Sequence, residues 1–505
     1  MKIFSCNQIK QIDEYTIRNE PVASIDLMER AALKLLEWYV ERFERTRPVL
    51  ILAGPGNNGG DGLALARLLA LSKYKSEVWF INIASSRTSD WEINRKRLEA
   101  ETNVPFRTIN GTDQLPDIPP GSLIIDALFG SGLSRPVEGF AGDVIRQINN
   151  SGLIIISIDI PSGLFGEDNG NNNPDHIIRA SYTLSFQFPK LSFMFAENEK
   201  YTGEWHILPI GLDPQAIENT ESPYLFLEKE IITPLLKHRN KFDHKGTFGH
   251  GLLIGGSYGK IGAMVLGAKA ALRSGIGLVT CHIPSRGNLV MQCIVPEAMV
   301  IHDNSEKYIS DILITDSFSA VGIGPGMGTE PISQNVLNSL LLNCKKPLVI
   351  DADALNILSE NKKWHKSIPP GTILTPHPKE FERLSGKTVN SYERLQKQIE
   401  FSVKHKCIIV LKGAFTSISS PDGRVWFNST GNPGMATGGS GDVLTGIILS
   451  LLSQGYSPIN ASLTGVYIHG LAGDVAAEET SFESIIASDI INGIGEAFSR
   501  IRRKN

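Results

Sequence analysis

Hydrophobic residues near the start of the chain follow a helical period. They recur every three or four positions, so that one stripe of a helix would carry Leu27, Ala31, Leu35 and Trp38. Earlier in the chain, Ser5 begins a Ser-x-x-Gln sequence, the capping box that satisfies free amide groups at the start of a helix. The pattern predicts two helices, over residues 5–17 and 24–43.

A different pattern follows, in which runs of consecutive apolar residues have the length of buried strands. In the first half of the chain these runs cover residues 49–53, 77–83, 123–128, 153–160 and 182–186. Segments compatible with helices lie between several of them, such as residues 63–71 and 141–148. Apolar strands that alternate with helices indicate a parallel sheet covered on both faces.

The second half of the chain shows the same alternation. Its predicted strands cover residues 251–255, 320–323, 348–351, 372–375 and 407–412. A Gly/Ala-rich helix is predicted over residues 263–274, and a second over residues 443–452, where Gly455 would end the helix as a C-cap. Further helices are predicted at the end of the chain.

Composition changes between the two series. Around residues 211–245 the alternation is lost, and a basic, histidine-containing segment, KHRNKFDHKGTFGH, occupies residues 237–250. We place a domain boundary near Ser222, which divides the chain into residues 1–221 and 222–505. The 505-residue length also favours more than one domain, at about 100–200 residues per domain.

Composition excludes several classes of protein. Hydrophobic residues make up 41% and charged residues 20% of the chain, as in an ordinary globular protein. With 49 Lys and Arg against 53 Asp and Glu, nothing in the charge favours nucleic acid or an anionic membrane as a partner. Five cysteines without a CxxC motif disfavour a disulfide framework and a zinc site. The apolar stretches are too short to cross a bilayer and the N-terminus lacks a signal peptide, so we expect a cytoplasmic protein.

The first glycine-rich motif is AGPGNNGGDG, between a predicted strand and a predicted helix. Residues 54–59 satisfy G-x-G-x-x-G, the dinucleotide-binding pattern of hydride-transferring dehydrogenases. Two features argue against that interpretation. The next strand ends in Ile81-Asn82-Ile83, without the expected acidic ribose ligand, and Asp61 brings negative charge to the helix N-terminus. A tight turn without a ligand remains an alternative.

Polar residues also follow two later strands: Asp126 in IIDALFGSGL, and Asp159 and Ser162 in IDIPSGL. The carboxyl ends of parallel strands line one crevice, so we expect these side chains to converge with Asn57, Asn58 and Asp61. Their oxygen atoms suit hard cations such as potassium or magnesium better than zinc. A lone Asp at a strand end is alternatively a helix cap.

Together, AGPGNNGGDG, DALFGSGL and DIPSGL resemble the NAD(P)H-hydrate epimerase family, over about residues 1–215. The resemblance implies a Rossmann-like, three-layer α/β domain that interconverts the R and S hydrates of NADH and NADPH. It implies potassium ligands at Asn58, Asp126 and Ser162, and makes Asp159 the substrate-contacting acid/base residue. The implied positions for the hydrated dinucleotide are Asn57, Asn58, Gly59, Gly60, Asp61, Gly130, Ser131, Gly132, Leu133, Ser134, Arg135, Pro136 and Asp159. The proton-transfer partner of Asp159 stays open, with Lys190 one candidate.

The second glycine-rich motif is NPGMATGGSGDVLTG, at residues 432–446. Amide groups of residues 438–441 at a helix N-terminus would bind an anion, and Asp442 would take a proton from a hydroxyl that attacks phosphorus. The alternative is a helix start without a ligand. Upstream, the KGAFT segment follows a strand, and His377 lies between two prolines, where on its own it predicts a rigid turn.

The series DADALN, TPHPKE, LKGAFT and NPGMATGGSGDVLTG resembles the ribokinase-like, ADP-dependent NAD(P)H-hydrate dehydratase family, over about residues 225–505. The resemblance implies that Asp442 activates the C6 hydroxyl of the hydrate towards the β-phosphate of ADP, with AMP and phosphate as products. The implied hydrate-binding residues are Ala263, Gly326, His377 and Asp442. The implied nucleotide-binding residues are Lys412, Gly413, Ala414, Phe415, Thr416 and Gly441. Lys379 stands where the family commonly has Gly.

The fold expected from both resemblances is an N-terminal Rossmann-like α/β domain followed by a ribokinase-like α/β domain. Magnesium is expected with the nucleotide phosphates, although no carboxylate cluster identifies its ligands. The expected partners are hydrated NADH and NADPH, ADP, and further copies of the chain in a homo-oligomer. Two alternatives remain: a kinase of a small hydroxylated metabolite, and a nucleotide-binding or scaffold protein without turnover.

Overall fold

The apolar runs of the chain form two separate sheets, one in each of two units, described here from a computed structural model. The structure describes residues 1–20, 22–312 and 315–503. The N-terminal unit contains residues 2–222 and 390–392, and the C-terminal unit contains residues 1, 223–389 and 393–505.

In the N-terminal unit, a short strand β1 (Lys2–Ile3) precedes the sheet. The sheet strands are β2 (Val49–Ala53), β3 (Ser76–Ile81), β4 (Phe106–Ile109), β5 (Leu123–Ala127), β6 (Ile155–Ile158), β7 (Tyr182–Phe186) and β8 (Glu204–Leu208). They are parallel and lie in the order β4-β3-β2-β5-β6-β7-β8. Leu52 of β2 lies opposite Asp126 of β5, which lies opposite Ser157 of β6. The segments that follow these strands therefore emerge side by side.

Helices cover both faces of this sheet. They are α1 (Cys6–Asn19), α2 (Ser24–Val40), α3 (Asn57–Leu71), α4 (Ser89–Glu101), α5 (Gly139–Asn149), α6 (Glu199–Thr202) and α7 (Pro214–Asn219). Successive strand residues point to opposite faces, so Ile51 packs with Leu35 of α2 while Leu50 packs with Val144 of α5. The predicted three-layer arrangement, the capping box at Ser5 and the buried stripe of α2 are confirmed.

Helix α3 begins at Asn57, earlier than the predicted start at residue 63. Its glycines allow the backbone to approach the sheet closely, because a Cβ at Gly59 would lie 1.9 Å from the Gly54 carbonyl oxygen. A Cβ at Gly62 would lie 2.7 Å from the Cβ of Ala127. The glycine-rich stretch is therefore the packed first turns of a helix and not only a loop.

The C-terminal unit has its own sheet. Its strands are β9 (Tyr224–Leu227), β10 (His250–Ile254), β11 (Leu278–Pro284), β12 (Met299–Asp303), β13 (Ala320–Ile323), β14 (Leu348–Ile350), β15 (Ile373–Leu374), β16 (Ile408–Leu411), β17 (Ser417–Ser419) and β18 (Val425–Asn428). Their order is β9-β18-β17-β16-β15-β14-β13-β10-β11-β12. Only β17 runs antiparallel to its neighbours among these strands.

The remaining helices follow the same two-sided arrangement. They are α8 (Lys229–Ile232), α9 (Ile261–Arg273), α10 (Asn288–Ile294), α11 (Pro331–Asn343), α12 (Ala352–Glu360), α13 (Pro378–Ser385), α14 (Ser391–His405), α15 (Ser440–Ser453), α16 (Pro458–Glu479) and α17 (Ala487–Arg502). Leu253 of β10 packs in the core of α9, α15, α16 and α17, and Leu252 packs in the core of α11, α12 and α13. The strands and helices predicted for this half are confirmed.

Glycine also lets α9 and α15 cross closely, because a Cβ at Gly446 would lie 2.1 Å from the Gly267 carbonyl oxygen. This crossing packs the second turn of α15 against α9. Across the described ranges, no helix combines the length and apolar character that a membrane span requires.

Candidate active sites

Asp126 lies at the end of β5, and its side chain is fully buried. Its carboxylate accepts hydrogen bonds from the Ser157 hydroxyl at 2.7 Å, the Ser162 hydroxyl at 2.5 Å and the Ser162 amide at 2.8 Å. Burial raises the pKa of Asp126, and these hydrogen bonds oppose the rise. None of the ion pairs formed among the described residues uses Asp126, so the structure buries this carboxylate without a basic partner.

The backbone of Phe129 connects the other two predicted ion ligands. Asn58 donates its side-chain amide to the Phe129 carbonyl at 2.9 Å, and the Ser162 hydroxyl donates to the same oxygen at 3.2 Å. The Phe129 amide donates to the Ser162 hydroxyl oxygen at 2.8 Å. Asn58, Asp126 and Ser162 therefore converge as predicted, and they surround a carbonyl that the sequence analysis did not select.

Asp159 forms a buried ion pair with Lys190. The Lys190 ammonium lies 2.7 Å from the Asp159 carboxylate and 3.0 Å from the Ser185 hydroxyl, and its side chain is 1% exposed. Burial favours the neutral form of Asp159, but Lys190, together with a hydrogen bond from the Ser131 hydroxyl, brings the pKa below its usual value. Asp159 also has a φ of 64°, a conformation rare for residues other than glycine.

Two further carboxyl groups share this environment. Burial raises the pKa of Asp61 well above its usual value, and the charges of Asp159 and Asp13 raise it further. Burial and the charge of Asp159 also raise the pKa of Asp13, on α1, to about 7, against an opposing effect of Lys190. One carboxylate oxygen of Asp13 is buried without a hydrogen-bond partner among the described residues. The Lys190 charge thus lowers the pKa of both Asp159 and Asp13, while the charge of Asp159 raises the pKa of Asp13 and Asp61.

The positions predicted to hold the dinucleotide lie on two neighbouring segments. Asn57, Asn58, Gly59, Gly60 and Asp61 form the first turns of α3. Residues 130–136 form the loop after β5, where a Cβ at Gly130 would lie 3.3 Å from the Cβ of Asn58. Ser131 reaches Asp159 through its hydroxyl, while Gly132, Ser134 and Arg135 are exposed. The two segments meet at Asn58 and Gly130.

The second site lies at the N-terminus of α15, in the C-terminal unit. Asp442 occupies the first turn of this helix, which follows Gly439 at a φ of 91°. The buried Asp351 carboxylate accepts from the Lys412 ammonium at 3.0 Å and from the Thr445 hydroxyl at 2.7 Å. A Cβ at Gly441 would lie 3.3 Å from the Lys412 nitrogen. Glycine therefore keeps the helix start open towards the lysine.

The charges around Asp442 set its proton affinity. Burial raises its pKa to about 6, with a further rise from the charge of Asp351 and a smaller one from Asp353. Lys412 acts in the opposite direction. A carboxylate with a pKa near 6 is ionised at neutral pH and is a stronger base than an ordinary aspartate.

Ala263 and Gly326 lie next to one another near this helix start. Gly326 has a φ of 60°, and a Cβ there would lie 3.3 Å from the Cβ of Ala263. The Gly326 carbonyl accepts a hydrogen bond from the Ser257 hydroxyl at 2.8 Å. One turn beyond Ala263, a Cβ at Gly267 would lie 3.4 Å from the Asp442 carbonyl oxygen. Helix α9 thus brings Ala263 to the same edge as Asp442.

His377, predicted to lie in a rigid turn between two prolines, is the N-cap of α13. Its Nδ1 accepts hydrogen bonds from the amides of Lys379 and Glu380, and the side chain is 44% exposed. Burial lowers the pKa of His377, and Lys412 adds to this while Glu380 opposes it. Lys379 fits the helix without strain at the position where the family commonly has glycine.

The KGAFT segment forms a turn after β16. The Lys412 amide donates to the Pro376 carbonyl at 2.9 Å, and the Thr416 hydroxyl donates to the Gly413 carbonyl at 3.0 Å. Gly413 and Ala414 are exposed, and Phe415 is half-buried. Of the predicted nucleotide-binding residues, Lys412 and Gly441 lie together beside Asp351.

Comparison with known proteins identifies the family. A family described as NAD(P)H-hydrate dehydratase matches residues 251–495, and one described as YjeF-related protein N-terminus matches residues 24–192. The bifunctional NAD(P)H-hydrate repair enzyme of Moorella thermoacetica is 32% identical over 97% of this chain and 96% of its own length. The chain belongs to the bifunctional NAD(P)H-hydrate repair enzyme family. The Escherichia coli member is 33% identical over 92% of this chain and 88% of its own length.

A solved structure also resembles part of the chain. It is the ADP/ATP-dependent NAD(P)H-hydrate dehydratase from Bacillus subtilis co-crystallised with ATP and Mg²⁺, with 31% identity and a TM-score of 0.49. The match covers 55% of this chain and 98% of the Bacillus subtilis chain.

Membership of the repair enzyme family confirms the resemblances drawn from the two series of motifs. The chain combines two α/β units, each built on a largely parallel sheet, and it belongs to a family of enzymes.

The sequence patterns did not identify several polar groups at the two candidate sites of this repair enzyme family member. Asp13 lies on the buried stripe of α1 beside Ile9, Ile12 and Thr16, and no sequence pattern shows that this acid lies near Asp159. Asp351 lies in the DADALN motif, but the sequence alone does not show that its carboxylate contacts Lys412. The Phe129 carbonyl is a backbone group, which a residue pattern does not report. Lys190 was only one candidate partner of Asp159, and the structure shows that the two side chains form a buried ion pair.

Proposed function

We propose that this chain repairs hydrated NADH and NADPH in two steps. Residues 1–221 interconvert the R and S hydrates, and residues 222–505 dehydrate the S form with ADP, releasing AMP and phosphate. The observation that carries this proposal is the position of Asp442, a half-buried carboxylate with a pKa raised to about 6, in the first turn of a glycine-rich helix start. A base beside helix amides that are able to bind an anion is the combination that phosphoryl transfer from a nucleotide requires.

In the dehydration step, the Asp442 carboxylate takes the proton from the C6 hydroxyl, and the oxygen attacks the β-phosphorus of ADP. The bond from this phosphorus to the bridging oxygen breaks, and AMP leaves. The C6–O bond then breaks with loss of phosphate, and a proton leaves C5 to restore the dihydronicotinamide. Lys412 and the amides at the start of α15 stabilise the phosphoryl group in transfer.

Magnesium would reduce the negative charge on the nucleotide phosphates. The described residues contain no group of three or more His, Cys, Asp or Glu side chains placed for a metal ion. Asp351 is held by Lys412 and Thr445, and Asp353 accepts from Lys260 at 3.2 Å. We therefore assign magnesium no protein ligands in this chain and expect it to arrive with the nucleotide.

Epimerisation inverts C6, so one bond of this carbon must break and re-form on the opposite face. When the C6 hydroxyl gives up its proton, the bond from C6 to the ring nitrogen breaks, the nitrogen takes up a proton and C6 becomes an aldehyde carbon. The reverse steps then close the ring on the other face. That requires one group that takes a proton and one that returns it. The Asp159 carboxylate and the Lys190 ammonium, 2.7 Å apart, supply both functions at one place. We assign proton transfer in the epimerase reaction to this pair.

We assign a potassium ion to Asn58, Asp126, Ser162 and the Phe129 carbonyl. The support is chemical, because these groups supply oxygen atoms and the fully buried Asp126 has no basic partner among the described residues. The ion would offset this charge. It would also hold the loop after β5 against α3, next to Asp159.

We expect potassium to control epimerisation but not dehydration. Replacing potassium by lithium should slow epimerisation at least about tenfold, because the smaller ion does not fill the same ligand set. Asp126→Asn should raise the potassium concentration needed for half-maximal epimerisation by a similar factor, measured by initial rates against added potassium chloride. Ser157→Ala, which removes a hydrogen bond to Asp126 from the strand side, serves as the matched control. An unchanged potassium response in Asp126→Asn would refute the assignment.

The overall proposal is tested with a mixture of R and S NADH hydrates, ADP, magnesium and potassium. We expect the near-ultraviolet absorbance of reduced nicotinamide to recover completely. Recovery that stops when the S form is consumed would contradict the epimerase assignment. A stable phosphorylated product without absorbance recovery would favour the small-metabolite kinase.

We also infer that the chain acts in the cytoplasm as a homo-oligomer. The five cysteines are free thiols, which supports a reducing compartment. Sedimentation of the purified chain measures its assembly state.

A further inference from the structure

The basic segment at residues 237–250 has no role in either proposed reaction, yet it lines a cavity in the C-terminal unit. The cavity has a volume of about 440 Å³. It lies where α9 ends at Arg273 and α15 ends at Ser453, whereas Asp442 lies in the first turn of α15. With a rise of about 1.5 Å per residue, the helix separates the cavity from Asp442 by well over 10 Å. We call this cavity the basic cavity.

Four cations line the basic cavity: Lys237, Arg239, Arg273 and Arg502. Asp243 is the carboxylate among its lining residues. Of the ion pairs among the described residues, several use the neighbouring Arg500 and Arg503, and none uses any of the four lining cations. Burial lowers the pKa of Arg239, and the positive charge of the nearby Arg502 lowers it further. Four cations are thus gathered here with one lining carboxylate.

The C-terminal ends of two helices offset part of the positive charge of the basic cavity. Lys237 donates to the Gln454 carbonyl at 2.8 Å, and Arg239 donates to the Gly275 carbonyl at 2.5 Å and to the Gln454 side chain at 3.1 Å. These carbonyls follow α15 and α9, whose C-terminal ends carry partial negative charge. Arg273 and Arg502 do not bind helix ends in this way, because their guanidinium groups form no hydrogen bond to the part of the chain that the structure describes.

The charges can be weighed against one another. Three helices, α9, α15 and α17, end near the basic cavity, and each end carries about half a negative charge. Together with Asp243 they amount to about 2.5 negative charges, against four cations, which leaves an excess of about 1.5 positive charges. This excess is what an anionic ligand would neutralise.

Aromatic rings hold three of the cations in place. The Arg239 guanidinium lies 3.9 Å from the centre of the Phe248 ring, and the Lys237 ammonium lies 5.0 Å from the Tyr456 ring. The Arg502 guanidinium lies 5.9 Å from the Phe498 ring. Side chains positioned in this way lose less conformational freedom when a ligand binds. Because the cations cover the rings, the rings are not free to stack on a base.

We propose that the basic cavity binds a small oligophosphate anion, at a site separate from the catalytic helix start. Guanidinium groups bind phosphate oxygens in a two-pronged geometry, and two of the arginines have no other polar partner. The volume lies within the range of about 300–1,000 Å³ typical of small-molecule sites. A diphosphate or triphosphate group supplies the charge that the cavity lacks. The anion is either a free oligophosphate or the phosphate chain of a nucleotide.

The test uses calorimetric titration of the full chain with inorganic tripolyphosphate, without substrate, so its outcome does not depend on the proposed function. In the double variant Arg273→Gln/Arg502→Gln, we expect the Kd for tripolyphosphate at one class of sites to rise at least about tenfold. The matched control, Arg500→Gln/Arg503→Gln, changes arginines of the same region that already have acidic partners. It should bind like the unchanged chain. Equal stoichiometry and affinity in all three proteins would overturn the proposal.

A second measurement needs no variant. Tripolyphosphate should slow amide hydrogen exchange in residues 237–248 of the unchanged chain, and unchanged exchange there would also overturn the proposal. Titration with ADP distinguishes the two sources. If the double variant binds both ADP and tripolyphosphate more weakly at one class of sites, the cavity is a nucleotide site. If it binds only tripolyphosphate more weakly, the ligand is a free oligophosphate.

Discussion

Replacing Asp442 by Asn is expected to lower the rate of dehydration by about 10²–10⁴-fold, the usual contribution of a general base. Asparagine keeps the size of the side chain but does not accept the hydroxyl proton. Recovery of the reduced-nicotinamide absorbance from pure S hydrate, with ADP, measures the effect. Epimerisation in the same variant serves as the internal control and should remain unchanged, because its proposed groups lie in the N-terminal unit.

The pH dependence of dehydration follows from the pKa of Asp442, about 6. The base works in its ionised form, so the rate should fall as the pH falls through 6, with about a tenth of the plateau left at pH 5. Asp353→Asn removes a negative charge that raises this pKa, so the acid limb should move to lower pH while the plateau changes little. An acid limb that persists unchanged in Asp442→Asn would contradict the role of Asp442.

Replacing Lys190 by Met is expected to abolish epimerisation and to destabilise the N-terminal unit by about 3–5 kcal/mol, the cost of removing one partner of a buried ion pair. The Asp159 carboxylate would remain buried without its cation, so its pKa should rise and it should take up a proton. Urea unfolding measures the stability, and recovery of absorbance from pure R hydrate measures epimerisation.

The double variant Lys190→Met/Asp159→Asn separates the two effects. Removing both charges avoids an unpaired buried ion, so much of the lost stability should return, while epimerisation stays absent. A double variant no more stable than Lys190→Met would argue against a charge pair. Wild-type epimerisation in Lys190→Met would exclude Lys190 from proton transfer. Dehydration of S hydrate should continue in both variants.

These two sets of variants also test the domain assignment. Asp442→Asn and Lys190→Met should each remove one activity and leave the other. Loss of both activities in either well-folded variant would contradict two separate sites. The scaffold alternative predicts that neither variant changes any turnover, and the kinase alternative predicts that Asp442→Asn stops the accumulation of a phosphorylated product.

The sequence by itself determined the alternation of strands and helices and the edge at which functional residues gather. Periodicity marks buried strands, and parallel strands bring their carboxyl ends to one edge of a sheet. Asn58, Asp126 and Ser162 were therefore expected together, and they meet at the Phe129 carbonyl. The glycine motifs likewise located both helix starts, although the first helix includes glycines that suggest a loop.

Only the tertiary structure decided which charged groups pair. Lys190 reaches Asp159 across 31 positions, and Lys412 reaches Asp351 across 61. The basic cavity likewise joins residues 237–248 to Arg502, far along the chain. Hydrophobic spacing reports which side of an element is buried, but the partner of a long polar side chain depends on the path of the intervening loops. That path is set by packing of the whole unit, which no local pattern contains.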